Sequence, residues 1–245
     1  MSIESIKELC KDAHVLLVGN SVLSLSKKQR KIIDSFDVVV RFGKGNPKGY
    51  EEYLGTKTNI WSTGNFRAAM RDTYPEDVQV LFNPSSFTKE SETPSYPHTV
   101  MYTKEELESL NNKYIKTKTP MSTKNKRLSI GAVTAFYLCN KINNFATLTF
   151  INFDFFSKGM YMLSGEEKQK VVSTSWHLPL PAYKFVDKNN MLENHPAHDS
   201  KAEKTLIKDL LLNDSNIYFL GNEEPSFEYI DTSSNMPWDN LRQPI

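Results

Sequence analysis

The sequence has few cysteines and lacks any long apolar run. Its two cysteines, Cys10 and Cys139, come with no CxxC pair and no His/Cys cluster of zinc spacing. This argues against a disulfide framework and a structural zinc, and we expect no metal site. No segment reaches the roughly 18 uninterrupted apolar residues of a membrane span, and acids stand where a signal peptide carries bases. We expect the chain as given to be soluble and cytoplasmic.

An excess of charge of either sign is also missing. Thirty Lys and Arg side chains stand against 29 Asp and Glu, a formal net charge of +1. No global field therefore attracts nucleic acid, which we do not expect as a partner. A content of 39% hydrophobic and 24% charged residues is typical of a globular protein, and we expect residues 1–245 to form a single domain.

Short apolar runs alternate with helical patterns along the chain. His14–Val18 is an apolar run that ends in a glycine turn, and helical spacing over Leu23–Ile33 leads to a second run, Phe36–Val40. Such a βαβ unit predicts buried parallel strands. Further predicted strands are Thr58–Trp61, Val78–Phe82, Thr147–Ile151 and Ile217–Leu220, and further predicted helices are Glu105–Asn111, Ile130–Lys141 and Ser200–Leu212. This order predicts a Rossmann-like, doubly wound, mostly parallel α/β sheet, with its ligand site beyond the carboxyl ends of the strands.

Three segments do not fit this alternation. Phe155–His198 is long and has no clear period, and we expect it to be a mobile lid or insert. The tail 221–245 is predicted to be irregular. Lys113–Arg127 is basic with few apolar residues. It could hold an anionic acceptor or contact a membrane surface peripherally, although a solvated loop is the more common case.

Two turns are candidates for binding a nucleotide. Gly19-Asn20-Ser21 follows the first strand, where a glycine lets the backbone approach a phosphate. Ser129-Ile130-Gly131 opens a helix whose free N–H groups could hold a phosphate or ribose. The bland alternatives are an ordinary strand-to-helix turn and a serine N-cap. GxGxxG and GxxxxGK[ST] are both missing, which argues against a dinucleotide oxidoreductase and a P-loop NTPase.

A third block, HDSKAE from His198 to Glu203, precedes a helical pattern. Asp199 or Ser200 can cap this helix, and Glu203 falls in its first turn, where the helix dipole favours an acid. A neutral imidazole at His198 could remove the proton of an attacking hydroxyl. Taken alone, such a histidine is more often a surface or capping residue.

The three blocks, in this order, resemble the motifs of the sialyltransferases of glycosyltransferase family 29, with features shared with the bacterial family 42. VLLVGNS, IDSFDVVVR and GYEEYLGTKT resemble the long sialyl motif, RLSIGAVTAFYLCN and TLTFINFDF resemble the short one, and His198-x4-Glu203 resembles the very short one. The resemblance implies the GT-A-like variant of the Rossmann-like fold. It also implies that His198 is the general base, with His195 as the weaker alternative, and that Glu203 is structural.

The resemblance further implies a donor pocket for a CMP-activated sugar acid. The residues expected to bind the nucleotide and sugar are Gly19, Asn20, Ser21, Arg41, Thr63, Gly64, Asn65, Ser129, Ile130, Gly131, Phe153, Asp154 and His177. No DxD-type metal pair is present, in keeping with a donor that bears a single phosphate. We expect no cofactor other than the CMP-sugar, which is a co-substrate.

These observations predict an inverting, metal-independent glycosyltransferase that moves sialic acid, or a related 2-keto sugar acid, from CMP to a hydroxyl of an acceptor oligosaccharide. One departure leaves alternatives open, because Gly43 stands where the family has an asparagine two residues after the motif arginine. The chain could be a CMP- or glycan-binding module without activity, or a CMP-Kdo-type transferase. An unrelated α/β nucleotide hydrolase is the third reading.

Overall fold

The structure, a computed structural model, describes residues 2–21, 24, 28–43, 45, 47–64, 78–83, 97–115, 127–153 and 198–220. In this part of the chain seven strands form one sheet in the order β5-β4-β3-β2-β1-β6-β7, and all neighbours are parallel. The strands are β1 His14–Val18, β2 Val38–Phe42, β3 Ile60–Thr63, β4 Gln79–Phe82, β5 Thr99–Val100, β6 Thr147–Ile151 and β7 Ile217–Leu220. The predicted doubly wound α/β sheet is confirmed.

Helices cover both faces of this sheet. The described helices are α1 Ile3–Cys10, α2 Arg30–Asp34, α3 Glu51–Leu54, α4 Lys104–Tyr114, α5 Ile130–Tyr137 and α6 Ser200–Asn213, and a π-helical turn, Leu138–Ile142, continues α5. Alternate strand residues point to opposite faces. Leu17 and Val40 pack with residues of α1, α4, α5 and α6, whereas Leu16 and Val39 pack with Ile33 of α2. Each fully buried aliphatic side chain of this kind contributes about 1.5–3 kcal/mol.

The order of the strands creates a topological switch point between β1 and β6. From β1 the chain moves through α2 to β2 on one side, and it returns only after α5 to place β6 on the other side of β1. Because the connections leave these two strands in opposite directions, their carboxyl ends are where sheets of this kind form a ligand-binding crevice. This is the edge at which the sequence predicts the ligand site.

Several predicted boundaries are wrong. Strands expected at Phe36–Val40 and Thr58–Trp61 lie two residues later, at β2 and β3. Phe36 is buried against α2 but lies before the hydrogen-bonded ladder of β1 and β2. That ladder begins where the Asp37 N–H donates to the carbonyl of His14. The helix expected at Leu23–Ile33 is not formed at residues 28 and 29 and begins at Arg30. Helices α1 and α3 and the short strand β5 were not predicted.

Two expected segments lie outside the described residues. They are residues 155–197 of the lid and the tail 221–245. The basic stretch is described only at its two ends, 113–115 and residue 127.

A buried clasp holds the loop that joins α3 to β3. Arg41 is fully buried, and its guanidinium donates to the carbonyls of Leu54 and Lys57. Asp34 accepts from the N–H groups of Thr56 and Lys57 at 2.7 and 2.9 Å. Burial alone would raise the pKa of this carboxyl, but these hydrogen bonds and the charge of Arg41 lower it. The loop is therefore held through its carbonyl groups by Arg41 and through its N–H groups by Asp34.

Gly55 tests this clasp, because it has φ +69° and a Cβ there would lie 2.6 Å from Asp34 Oδ1. We expect Gly55→Ala to lose about 1–3 kcal/mol through a backbone conformation, φ +69° and ψ 174°, that is almost restricted to glycine, and about 1–3 kcal/mol more through the clash. Gly49, with φ +85° and open space around its Cβ, is the matched control, and Gly49→Ala should show only the backbone cost. Urea denaturation measures both, and equal losses would contradict the clasp.

Candidate functional site

The turn after β1 packs closely against the turn after β6. The Gly19 N–H donates to the carbonyl of Ile151 at 2.8 Å, and the Ser21 N–H donates to the carbonyl of Asn152 at 3.3 Å. A Cβ on Gly19 would lie 2.7 Å from the carbonyl carbon of Asn152, so only glycine fits. Asn20 donates from Nδ2 to the carbonyl of Phe42 at 3.1 Å, which fixes its amide at the end of β2.

The ring of Phe153 connects this turn to α5. It makes edge-to-face contacts with Phe42 and Phe150, at centroid distances of 5.8 and 5.3 Å. A Cβ on Gly131 would lie 3.1 Å from the ring of Phe153. The glycine therefore lets the first turn of α5 approach the switch point closely.

The end of β3 meets the same helix turn. Thr63 is buried, and a Cβ on the next residue, Gly64, would lie 4.0 Å from Ile130 Cδ1. One residue earlier, the Ser62 hydroxyl lies 2.7 Å from that of Thr134, which donates to the carbonyl of Ile130. The structure thus brings together, from four elements, the residues predicted at Gly19–Ser21, Thr63–Gly64, Ser129–Gly131 and Phe153.

Ser129 is the N-cap of α5, and all of its polar groups are engaged. Its hydroxyl accepts from the N–H of Ala132 at 3.3 Å and donates to Glu203 Oε2 at 2.9 Å. Its own N–H donates to Glu203 Oε1 at 2.6 Å. Ile130 and Gly131 follow at the first two helical positions, whose N–H groups have no partner within a helix. The positive end of the helix dipole thus faces the switch point, and these groups can bind an anion.

Glu203 is a buried acid at the contact between α6 and α5. It lies in the first turn of α6, whose N-cap, Asp199, accepts from the N–H of Ala202 at 3.1 Å. Burial raises the pKa of Glu203 to about 8, although the two hydrogen bonds from Ser129 act in the opposite direction. The contact therefore fastens the start of one helix to the start of the other.

This contact holds His198 beside the segment that leads into α5. His198 forms a parallel β-bridge with Arg127, and its Nδ1 lies 3.1 Å from the carbonyl oxygen of Arg127. A carbonyl can only accept, so Nδ1 carries the proton and the neutral ring has its lone pair on Nε2. Burial, together with the charge of Arg127, lowers the pKa of His198 to about 4, although the hydrogen bond to the Arg127 carbonyl acts in the opposite direction. The imidazole is therefore a neutral base throughout the physiological range.

Arg127 was missed as a site residue. The sequence shows it only as the first residue of the RLSIG block, two positions before the helix cap. It is half-buried, and burial lowers the pKa of its guanidinium. A cation next to the positive end of a helix indicates a site that favours an anion.

Among the described residues of the prediction, Arg41 is not brought to this site. Arg41 is on the sheet face opposite to its neighbour Val40, which packs in the cluster that contains α5, and its guanidinium is committed to the loop clasp. A contact between Arg41 and a nucleotide stays a prediction. Asn65, Asp154 and His177, and the alternative base His195, lie outside the described residues.

The described ranges show neither a metal site nor a membrane-spanning helix. They contain no group of three or more His, Cys, Asp or Glu side chains arranged to hold a metal ion. No helix among them combines the length and apolar character needed to cross a membrane.

The fold and the site define a doubly wound α/β protein in which the starts of α5 and α6 are joined and His198 lies beside Arg127. The sequence matches no protein-family model and no curated protein. Its structure is similar to that of a mammalian sialyltransferase in complex with Gal-β-1-3GalNAc-ortho-nitrophenol. The TM-score is 0.50 and the identity 14%, over 87% of this chain and 71% of that one.

Two further solved structures have lower scores. A second structure of a mammalian sialyltransferase has a TM-score of 0.49 at 14% identity, over 84% of this chain and 68% of that one. A variant of the sialyltransferase CST-II in complex with CMP has a TM-score of 0.47 at 13% identity, over 85% and 81%. The resemblance to sialyltransferases is confirmed at the level of the fold.

The ionisation of Glu203 gives the helix contact a pH dependence. The folded chain holds a proton up to about pH 8 that the unfolded chain, at the ordinary pKa of 4.5, releases. This stabilisation is complete below pH 4.5 and is lost as the pH rises to 8. We expect the free energy of unfolding of the wild type to fall between pH 5 and 8 by the order of 3 kcal/mol relative to Glu203→Gln.

Urea denaturation at several pH values measures this difference. Glutamine keeps an acceptor for the Ser129 N–H and has no charge to bury. The matched control is Glu108→Gln, a change at an exposed acid of α4, which should follow the wild-type curve. Parallel curves for the wild type and Glu203→Gln would show that Glu203 is ionised in the folded chain.

Proposed function

We propose that the chain is a sialyltransferase-like glycosyltransferase. It would move sialic acid, or a related 2-keto sugar acid, from a CMP-activated donor to a hydroxyl of an acceptor glycan, with inversion and without a metal ion. The observation that carries this proposal is the neutral imidazole of His198, hydrogen-bonded through Nδ1 to Arg127 beside the start of α5. The fold shared with a mammalian sialyltransferase supports it.

The proposed donor site lies at the switch point. The N–H groups of Ile130 and Gly131 and the turn Gly19–Ser21 would hold the phosphate and the nucleoside, as helix starts and glycine turns do for phosphates in other doubly wound proteins. CMP bears one phosphate, so the leaving group carries less charge than a nucleoside diphosphate. The helix start and the guanidinium of Arg127 provide the positive potential that the leaving phosphate needs.

The proposed reaction is a single displacement. The acceptor hydroxyl attacks the anomeric carbon on the face opposite to the phosphate, and its proton passes to Nε2 of His198. The new carbon–oxygen bond forms as the bond to CMP breaks, and the electron pair leaves with the phosphate. Attack from the opposite face inverts the configuration at that carbon.

Gly43 bears on the alternative of a binding module without activity. It has φ +50°, and no atom lies within 4 Å of where its Cβ would be. Its N–H donates to the carbonyl of Ser62, and its carbonyl accepts from Trp61 Nε1 at 2.7 Å. The backbone of this turn is therefore fixed without an asparagine side chain. Whether the donor needs that side chain is decided by assaying transfer.

The first test is incubation with CMP-Neu5Ac and lactose, with and without EDTA, while CMP release and acceptor mass are followed. We expect the acceptor to gain one sialyl residue in EDTA. CMP-Kdo and other CMP-sugar acids are the next donors to try. Binding of CMP without release from any donor would favour the binding module, and CMP release that needs Mg²⁺ and never modifies the acceptor would favour a hydrolase.

The base is tested by His198→Asn. Asparagine can still donate from Nδ2 to the carbonyl of Arg127, but it has no basic nitrogen. We expect transfer to fall by about 10²–10⁴-fold, the usual contribution of a general base, with CMP affinity kept within about twofold. His98→Asn, at a half-buried histidine that contacts Phe82, is the control and should leave the rate unchanged. Full activity in His198→Asn would rule out His198 as the base.

The pH profile of kcat/KM tests the same group in the free enzyme. Because burial lowers the pKa of His198 to about 4, the imidazole stays neutral well below the pH at which an ordinary histidine is protonated. We expect kcat/KM to hold down to about pH 5 and to fall only below it. An acid limb centred near about 6.5 would show that His198 has an ordinary environment or that another group is the base.

A further inference from the structure

Asn83 lies at the same edge of the sheet, directly after β4, and the fold gives its side chain no task. Its backbone N–H donates to the carbonyl of Thr63 at 2.9 Å. Its own carbonyl oxygen lies 3.3 Å from the place of a Cβ on Gly64, and the same Cβ would lie 4.0 Å from Ile130 Cδ1. Asn83 therefore adjoins the start of α5 on the side away from β1.

The side-chain oxygen of Asn83 is withdrawn from water without a hydrogen bond. The residue is 5% exposed, and its Oδ1 is buried and accepts no hydrogen bond in the described part of the chain. Leu81 packs in the cluster that contains α5, and Phe82 packs in the one formed with Trp61. Strand alternation therefore places Asn83 on the face of α5. A buried amide oxygen that lacks a donor is costly, and at the carboxyl ends of the strands, where ligands of such sheets bind, it points to a ligand that supplies one.

We propose that Asn83 binds a hydroxyl group of a sugar substrate, and this inference rests on the proposed glycosyl transfer. The carboxyl ends of β1, β2, β3 and β4 follow one another along the edge. If the nucleotide occupies the β1 end, a sugar beyond its phosphate lies toward β3 and β4, where Asn83 is placed. An amide can accept from one sugar hydroxyl and donate to another, so it suits this ligand chemistry.

The sugar in question belongs either to the donor or to the acceptor, and steady-state kinetics separates the two. We expect Asn83→Leu, which keeps the volume and removes the polar atoms, to raise the KM of one of them by about tenfold while the affinity for CMP alone is unchanged. A raised KM for the CMP-sugar assigns the donor sugar, and a raised KM for lactose assigns the acceptor. If the leucine variant does not fold, the two KM values are measured in Asn83→Ser instead, which keeps a polar group but lacks the amide.

Gln79 provides the matched control, because it lies on the same strand and its Oε1 is also buried and without an acceptor role among the described residues. It stands at the opposite end of β4, so Gln79→Met should leave both KM values unchanged. Wild-type kinetics in Asn83→Leu, or equal changes in both variants, would overturn the proposal. If the wild type transfers no sugar at all, the proposed function fails instead.

In that event sugar binding is measured directly, by saturation-transfer NMR with sialic acid and with lactose. A signal that is lost in Asn83→Leu and kept in Gln79→Met still supports the assignment of Asn83. A signal that persists in Asn83→Leu, or no signal with the wild type, overturns it.

Discussion

The candidate site depends on the pair of hydrogen bonds that Ser129 donates to the buried carboxyl of Glu203. These bonds join the starts of α5 and α6, two helices that are separated by a long stretch of chain. The start of α5 supplies the N–H groups that face the switch point, and the start of α6 follows directly after His198. One contact therefore fixes the distance between the anion-binding end of a helix and the proposed base.

The same contact explains why an acid is buried there at all. An ionised carboxylate in this position would carry a large desolvation cost, and a raised pKa reduces it by keeping the proton on. The two hydrogen bonds with Ser129 engage both carboxyl oxygens. Removal of the side chain would leave the partly buried N–H of Ser129 without its acceptor, which costs about 1–3 kcal/mol.

The described contacts of Asp34 and Arg41, in the first part of the long motif, hold a loop of the fold. Asp34 and Arg41 hold opposite groups of the loop 54–58, and Gly55 leaves the space that Asp34 needs. IDSFDVVVR and LGTKT are thus two halves of one clasp, which fixes where β3 begins. The spacing of these two segments is therefore required by the fold. The turn Gly19–Ser21, in contrast, belongs to the candidate site.

Local sequence patterns correctly predicted the strands whose buried residues are apolar. The strands His14–Val18, Thr147–Ile151 and Ile217–Leu220 were placed correctly because their apolar runs coincide with the ladder. The end of β3 was not, since Ser62 is fully buried and looks like a loop residue. Its hydroxyl is satisfied by Thr134, 72 positions away, and no local window contains that partner.

The candidate site, like the fold, could be predicted where it consists of local motifs. Glycine turns and a capped helix are visible as short patterns, and the rule that ligands lie at a switch point brings them to one edge. Arg127 and Asn83 were not predicted, because each is placed at the site by a contact with a residue that is distant in the sequence. Arg127 does so through its bridge to His198, and Asn83 through the turn at Gly64.

The electrostatics of the site would connect binding of the proposed donor to the strength of the proposed base. In the free chain, burial and the guanidinium of Arg127 disfavour a proton on His198, and the hydrogen bond to the Arg127 carbonyl offsets them only in part. A bound CMP-sugar acid would bring a phosphate and a carboxylate, whose negative charges act in the opposite direction. The imidazole would then be a weak base while the site is empty and a stronger one once the donor is in place. Proton removal would thus be favoured at the stage when the acceptor hydroxyl has an anomeric carbon to attack.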